Sequence, residues 1–137
     1  MTVMRINPAE LARPSGFSHA VSAIGRIVFL AGQTGVDRDG NVAEGGIVPQ
    51  FERALGNLLT ALAATAGQPS DLVSLTIYLT DVEDYQAHGK EIGAVWRRLA
   101  GTDYPAMAAV GVTRLWRPEL LVEIQGIAVV GADGVRR

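Results

Sequence analysis

One carboxylate in this sequence sits where carboxylates are rarely placed. Glu123 lies in the middle of Leu120-Leu121-Val122-Glu123-Ile124-Gln125-Gly126-Ile127-Ala128-Val129-Val130, a run otherwise dominated by aliphatic residues. Burying an unpaired carboxylate is costly, so such a residue is paired, protonated or functional; the other reading is a glutamate facing solvent at a strand edge. Gly32 ends the apolar run Ile27–Ala31. Without a Cβ it lets a ligand approach backbone N–H groups, or it serves as a simple turn residue. Phe17 follows Gly16 just before the first predicted strand and either lines a pocket or packs in a core or interface.

Other chemistries are poorly supplied. The chain has no cysteine, which excludes disulfides, thiolate ligands and thiol nucleophiles. His19 and His88 are its only histidines, far apart in sequence and without the serine and carboxylate spacing of a triad. They make a poor metal site without cysteine partners. Asp37-Arg38-Asp39-Gly40-Asn41 faintly resembles the start of a calcium loop, but the later acidic ligands are out of place and a plain turn is expected. Phosphate-cradling glycine loops, H-E-x-x-H and G-x-S-x-G are absent.

The elements that must position these residues follow from periodicity. Residues 18–24 and 27–31 read as two strands joined by a turn at Gly25-Arg26, a hairpin. Residues 32–46 form a loop. Phe51, Leu55, Leu58, Leu59 and Leu62 recur at helical spacing and predict an amphipathic helix over 48–66, stopped by Gly67 and Pro69. Residues 72–80 alternate, with Val73, Leu75, Ile77 and Leu79 on one face of a half-buried strand. Asp81 and Asp84 offer capping oxygens for a second helix over about 84–100, with Tyr85, Ile92, Val95, Trp96 and Leu99 on its buried face. After Tyr104-Pro105, residues 106–114 predict a strand of small side chains, and residues 120–130 a last apolar strand. The tail after Gly131 is polar and expected to fray. The predicted order is β-β-α-β-α-β-β in a single α/β (α+β) domain.

The 137 residues suffice for one core. Charged residues make up 19%, below the roughly 25% of typical soluble domains, which hints at surface covered in an oligomer. With a formal net charge of −2 and arginines such as Arg26, Arg97, Arg98, Arg114 and Arg117 scattered along the chain, no basic face for nucleic acid is expected. Met1 to Pro8 lacks a leader pattern and no apolar stretch is long enough to span a bilayer, so a cytoplasmic protein without membrane partners is expected.

Several segments together resemble the YjgF/RidA (L-PSP) family. Gly16-Phe17-Ser18-His19-Ala20-Val21 resembles the family's Gly-Pro-Tyr-Ser-Gln-Ala-Val segment without its proline, and Phe29-Leu30-Ala31-Gly32-Gln33 its Ser-Gly-Gln strand end. Ala54-Leu55-Gly56-Asn57-Leu58, Gly67 through Asp81, Tyr104-Pro105-Ala106 and Val122 through Ala128 resemble the later motifs in order. The resemblance covers about residues 15–130. It implies a chorismate-mutase-like fold, a homotrimer with sheets forming a central barrel and helices outside, and small-molecule pockets between subunits. It also implies hydrolysis of enamines and imines such as 2-aminoacrylate without metal or cofactor.

The sequence departs from the family's pattern at the expected pocket. The arginine that follows Pro-Ala in the family is Met107 here, and a thioether cannot grip a carboxylate with two parallel hydrogen bonds. A helix asparagine becomes Gly89, the serine before Gly-Gln becomes Ala31, and the aromatic is Phe17, which has no hydroxyl. Glu123 remains, and would orient a water as general base. Arg114 is seven residues from Met107 and points to the opposite strand face, while Arg5, Arg13 or Arg117 could arrive from a neighbouring subunit. The expectation is therefore an imine or enamine hydrolase that is weak on 2-aminoacrylate. The alternatives are a non-catalytic metabolite-binding or assembly module and, disfavoured by the charge, an L-PSP-type ribonuclease.

Overall fold

A computed structural model of the chain describes residues 3–131. Its elements are β1 (Val3–Ile6), β2 (Ala20–Ala23), β3 (Arg26–Thr34), α1 (Ile47–Ala63), β4 (Leu72–Leu79), α2 (Val82–Ala87), α3 (Gly89–Ala100), β5 (Ala106–Gly111) and β6 (Val122–Val130). A four-stranded sheet runs in the order β3-β6-β4-β5, with β6 antiparallel to both its neighbours and β5 parallel to β4. The pair β1-β2 forms a separate antiparallel ribbon.

One face of the sheet is covered and the other is bare. The stripe predicted on α1 places Phe51, Leu55, Leu58 and Leu62 at full or near-full burial against Leu75, Ile77 and Leu79 of β4 and Val122, Ile124 and Val130 of β6. Ile92, Val95 and Trp96 of α3 complete this layer. Alternation along each strand sends the remaining side chains to the far face. There Phe29 is 77% and Ile27 60% exposed. Gln50, a buried residue of α1, ties the helix to the chain entering β6: its amide Nε2 donates to the Glu119 carbonyl at 3.1 Å and its Oε1 accepts from the Leu121 N–H at 2.8 Å.

Several expectations are corrected. The predicted hairpin of residues 18–24 and 27–31 does not form: β2 pairs with β1, and β3 pairs with β6. Gly25 makes this corner possible, because a Cβ there would collide with the Val130 carbonyl. The strand β1 was not anticipated; four residues of mixed polarity give no period to read. It is held by Arg5, which donates to the carbonyls of Tyr104 (3.3 Å) and Ser70 (2.9 Å).

The helix expected over 84–100 is two helices. The Asp84 carbonyl engages both the His88 N–H at 3.2 Å and the His88 ring at 2.9 Å, closing α2 before Gly89 opens α3. In β4 a bulge between Leu72 and Ser74 sends Leu72 into the core instead of Val73. The strand expected over 106–114 ends at Gly111. The helix α1 ends at Ala63, ahead of Gly67. The expectation for the tail lies outside the described residues.

Candidate functional site

The six predicted site residues fall into two groups. Phe17, Gly89 and Met107 form the first. Ser18 pins the segment carrying Phe17 to the start of β5: its N–H donates to the Pro105 carbonyl at 3.0 Å and its hydroxyl to the Tyr104 carbonyl at 2.7 Å. Met107 pairs with Leu75 in the sheet and packs on the core beneath α3. Between α3 and β5 lies a cavity of about 310 Å³ whose wall includes Tyr85, Gly89, Trp96, Arg97, Tyr104 and Met107. Phe17, Tyr85 and Met107 also line a smaller hollow of about 180 Å³. Burial raises the Tyr85 pKa above its ordinary value of 10.0, so the phenol keeps its proton at neutral pH.

Glu123, Gly32 and Ala31 form the second group. The register of β3 against β6 shifts between Leu30 and Gln33, so Ala31 and Gly32 occupy a bulge. A Cβ on residue 32 would overlap the Glu123 carboxylate. The missing side chain is thus what lets Glu123 lie over the β3 backbone. Glu123 is half-buried, and its carboxylate has no hydrogen-bond or ion-pair partner among the described residues. It shares an open cleft with Arg114, Leu115 and Trp116. Arg114 donates from Nε to the Leu115 carbonyl at 3.0 Å and from a terminal nitrogen to the Trp116 carbonyl at 3.1 Å, which holds its guanidinium at that cleft. Trp116 is 89% exposed beside it.

The sheet separates the two groups. Val110, Tyr78 and Glu123 are successive partners across β5, β4 and β6 on the bare face, and the Tyr78 hydroxyl donates to Gln125 on that face at 3.0 Å. Met107, Leu75 and Gly126 form a cross-strand row on the covered face. Arg114 lies beyond the end of β5, so strand alternation from Met107 does not reach it; the shared cleft is what sets it beside the Glu123 carboxylate. Sequence reasoning also missed Arg97, Trp96 and Tyr104 as cavity walls; only Trp96 left a legible trace, its place on the apolar stripe of α3.

The arrangement offers a carboxylate able to take a proton from water on one face and a pocket of aromatic and thioether surface on the other. No helix among the described residues is long and apolar enough to cross a membrane.

Comparison with known proteins adds the lineage. The family model described as Endoribonuclease L-PSP matches residues 8–130. A RutC family protein of Pyrococcus horikoshii, PH0854, is 33% identical over 118 residues, covering 85% of this chain and 89% of its own. The 2-iminobutanoate/2-iminopropanoate deaminase of Capra hircus is 32% identical over 116 residues, covering 84% and 80%. Among solved structures, YyfB of Yersinia pestis, described as a Rid family protein of unknown function, superposes with a TM-score of 0.82 at 34% identity over 95% of this chain and all of its own. With the motifs spaced along residues 15–130 and a fold shared at that level, the chain belongs to the Endoribonuclease L-PSP family, the YjgF/RidA proteins.

Proposed function

We propose that this protein hydrolyses an imine or enamine metabolite in a small-molecule pocket completed between copies of the chain, in a homotrimer with the bare sheet faces turned inward. The observation that carries this reading is the division of the candidate site: Glu123 and Met107 occupy opposite faces of one sheet. One copy alone cannot bring them together, whereas the β5 edge of one copy beside the β6 cleft of another would. The exposed Ile27 and Phe29 supply the apolar surface that such an assembly buries.

Glu123 acts as general base. It accepts a proton from water as the water oxygen bonds to the imine carbon; protonation of the nitrogen and collapse of the adduct then release ammonia and leave a carbonyl product. No further reactant is needed. The deaminase named among the relatives supports this reaction class. Met107 lacks the fork of donors that clamps a carboxylate, so turnover of 2-aminoacrylate is weak.

Ammonia release from acidic and neutral imines by wild type and Met107→Arg tests the reading. Turnover of neutral imines by wild type, shifting to acidic ones in the variant, supports it. Failure of both proteins on both classes favours the second reading, a metabolite-binding module, for which the loss of polar groups at 107, 89 and 31 is the motivating observation.

A further inference from the structure

The cavity between α3 and β5 has a wall chemistry that selects a ligand more narrowly than the reaction class does. Trp96 is 5% exposed, and its indole Nε1 is the one buried side-chain nitrogen or oxygen left without a hydrogen-bond partner among the described residues. A buried N–H in that state calls for an acceptor. Its ring stacks on Tyr104 with centroids 6.1 Å apart and planes 25° apart, so part of the wall is a flat aromatic surface. Phe51 and Tyr85, edge to face at 6.1 Å, also line the cavity.

The remaining polar groups of the wall are the hydroxyls of Ser15, Tyr85 and Tyr104 and the guanidinium of Arg97; no carboxylate lines it. The neighbouring Arg98 pairs with Glu52 at 2.9 Å, but Arg97 has no ion-pair partner among the described residues. Its guanidinium lies over Gly93, where an added Cβ would meet only that group at 3.3 Å. A Cβ on Gly89 would meet nothing within 4 Å. Two glycines four residues apart present one bare strip of α3. This strip keeps open a volume of about 310 Å³, at the small end of ordinary ligand pockets (about 300–1,000 Å³).

We propose that this cavity binds an organic anion with a flat aromatic body, the ring against Trp96 and Tyr104 and the anionic group on Arg97. Arg97 then supplies from α3 the charge that position 107 on β5 does not. The inference rests on the reading that the Met107 side of the sheet holds the ligand, and it adds to the neutral imines one acidic class, imines whose products are aromatic 2-oxo acids, in which the ring supplies the hold that a small acidic imine lacks.

Calorimetric titration of the full chain with phenylpyruvate, pyruvate and phenylacetone tests it, because the three separate the ring from the charge. Phenylpyruvate is expected to bind at least about tenfold more tightly than either other probe. Arg97→Gln should lower phenylpyruvate to the level of phenylacetone, a loss of roughly 10–100-fold. Gly89→Leu, which puts a side chain into open space, should weaken it by about tenfold or more with the thermal transition retained. Absence of saturable phenylpyruvate binding, or binding unchanged by Gly89→Leu, overturns the proposal. So does loss in Arg114→Gln but not in Arg97→Gln, which locates the anion at the Glu123 cleft. Turnover of small imines by a chain that does not bind phenylpyruvate rejects this inference alone. Phenylpyruvate binding with no imine turnover rejects the hydrolase and leaves the ligand assignment standing.

Discussion

Met107 and Glu123 lie on opposite faces of the same sheet, Met107 over the helical layer in register with Leu75 and Glu123 on the bare face in register with Tyr78. A chemistry that uses both must recruit them from different copies. The bare face also carries Phe29, 77% exposed, in a position that an assembly would cover. Wild type is therefore expected to sediment at three times its 14.5 kDa chain mass. Phe29→Glu should give folded monomers without imine turnover. Sedimentation velocity and ammonia release on the same preparations check this, and an active monomer would refute the shared site.

Gly32→Ala tests the positioning of the carboxylate. The new methyl overlaps the Glu123 side chain, which must move aside. Displacing a reacting group by about 1 Å costs on the order of 100-fold in rate. Gly32 has no positive φ, so the backbone accepts alanine without strain. We expect turnover to fall by that order while the thermal midpoint stays near wild type, measured by steady-state kinetics and by circular dichroism.

Much of the scaffold was legible because α1 and β4 are long enough to display a period: Leu55, Leu58 and Leu62 of α1 and the Leu75, Ile77, Leu79 alternation are buried, with Leu59 partly buried at the edge of the stripe. The ribbon β1-β2 was not, since two four-residue strands of mixed polarity carry no period and their partnership is a tertiary choice made at Gly25. Of the site, residue types were readable and grouping was not. The offset between positions 107 and 114 assumed one unbroken strand, whereas β5 ends at Gly111; the register of β6 against β4 places Glu123 on the bare face, and the shared cleft brings Arg114 to it. Arg97 and Trp96 escaped notice because on a helical stripe they look like rim and core.

Gln50 is expected to be a stability residue. Replacing it by leucine strands the Glu119 carbonyl and the Leu121 N–H in the segment feeding β6. A group left unpaired in such a part-buried site costs up to about 1–3 kcal/mol, so Gln50→Leu should lower unfolding free energy by about that order in urea titrations. Gln50→Glu, which retains one acceptor, should be milder at low pH than at neutral pH.

The His88 linkage has a definite sign. Its ring's hydrogen bond to the Asp84 carbonyl, assisted by the Asp84 carboxylate at 3.2 Å and by Glu91, raises its pKa above the ordinary 6.5. The protonated ring therefore stabilises the α2–α3 junction fully below the unfolded value and loses that contribution as pH rises through the folded value. The difference in Tm between wild type and His88→Asn should be larger at about pH 5 than at about pH 8. An NMR titration of the ring should give a midpoint above that of the unfolded chain.

The most direct test of the account is ammonia release from freshly generated imines by wild type beside Glu123→Gln, with oligomeric state and thermal transition recorded for both. Wild type is predicted to accelerate hydrolysis of at least one imine, and the variant to lose roughly 100-fold or more of that rate with its fold and assembly unchanged. No acceleration by wild type on any imine, or full activity in Glu123→Gln, would contradict it.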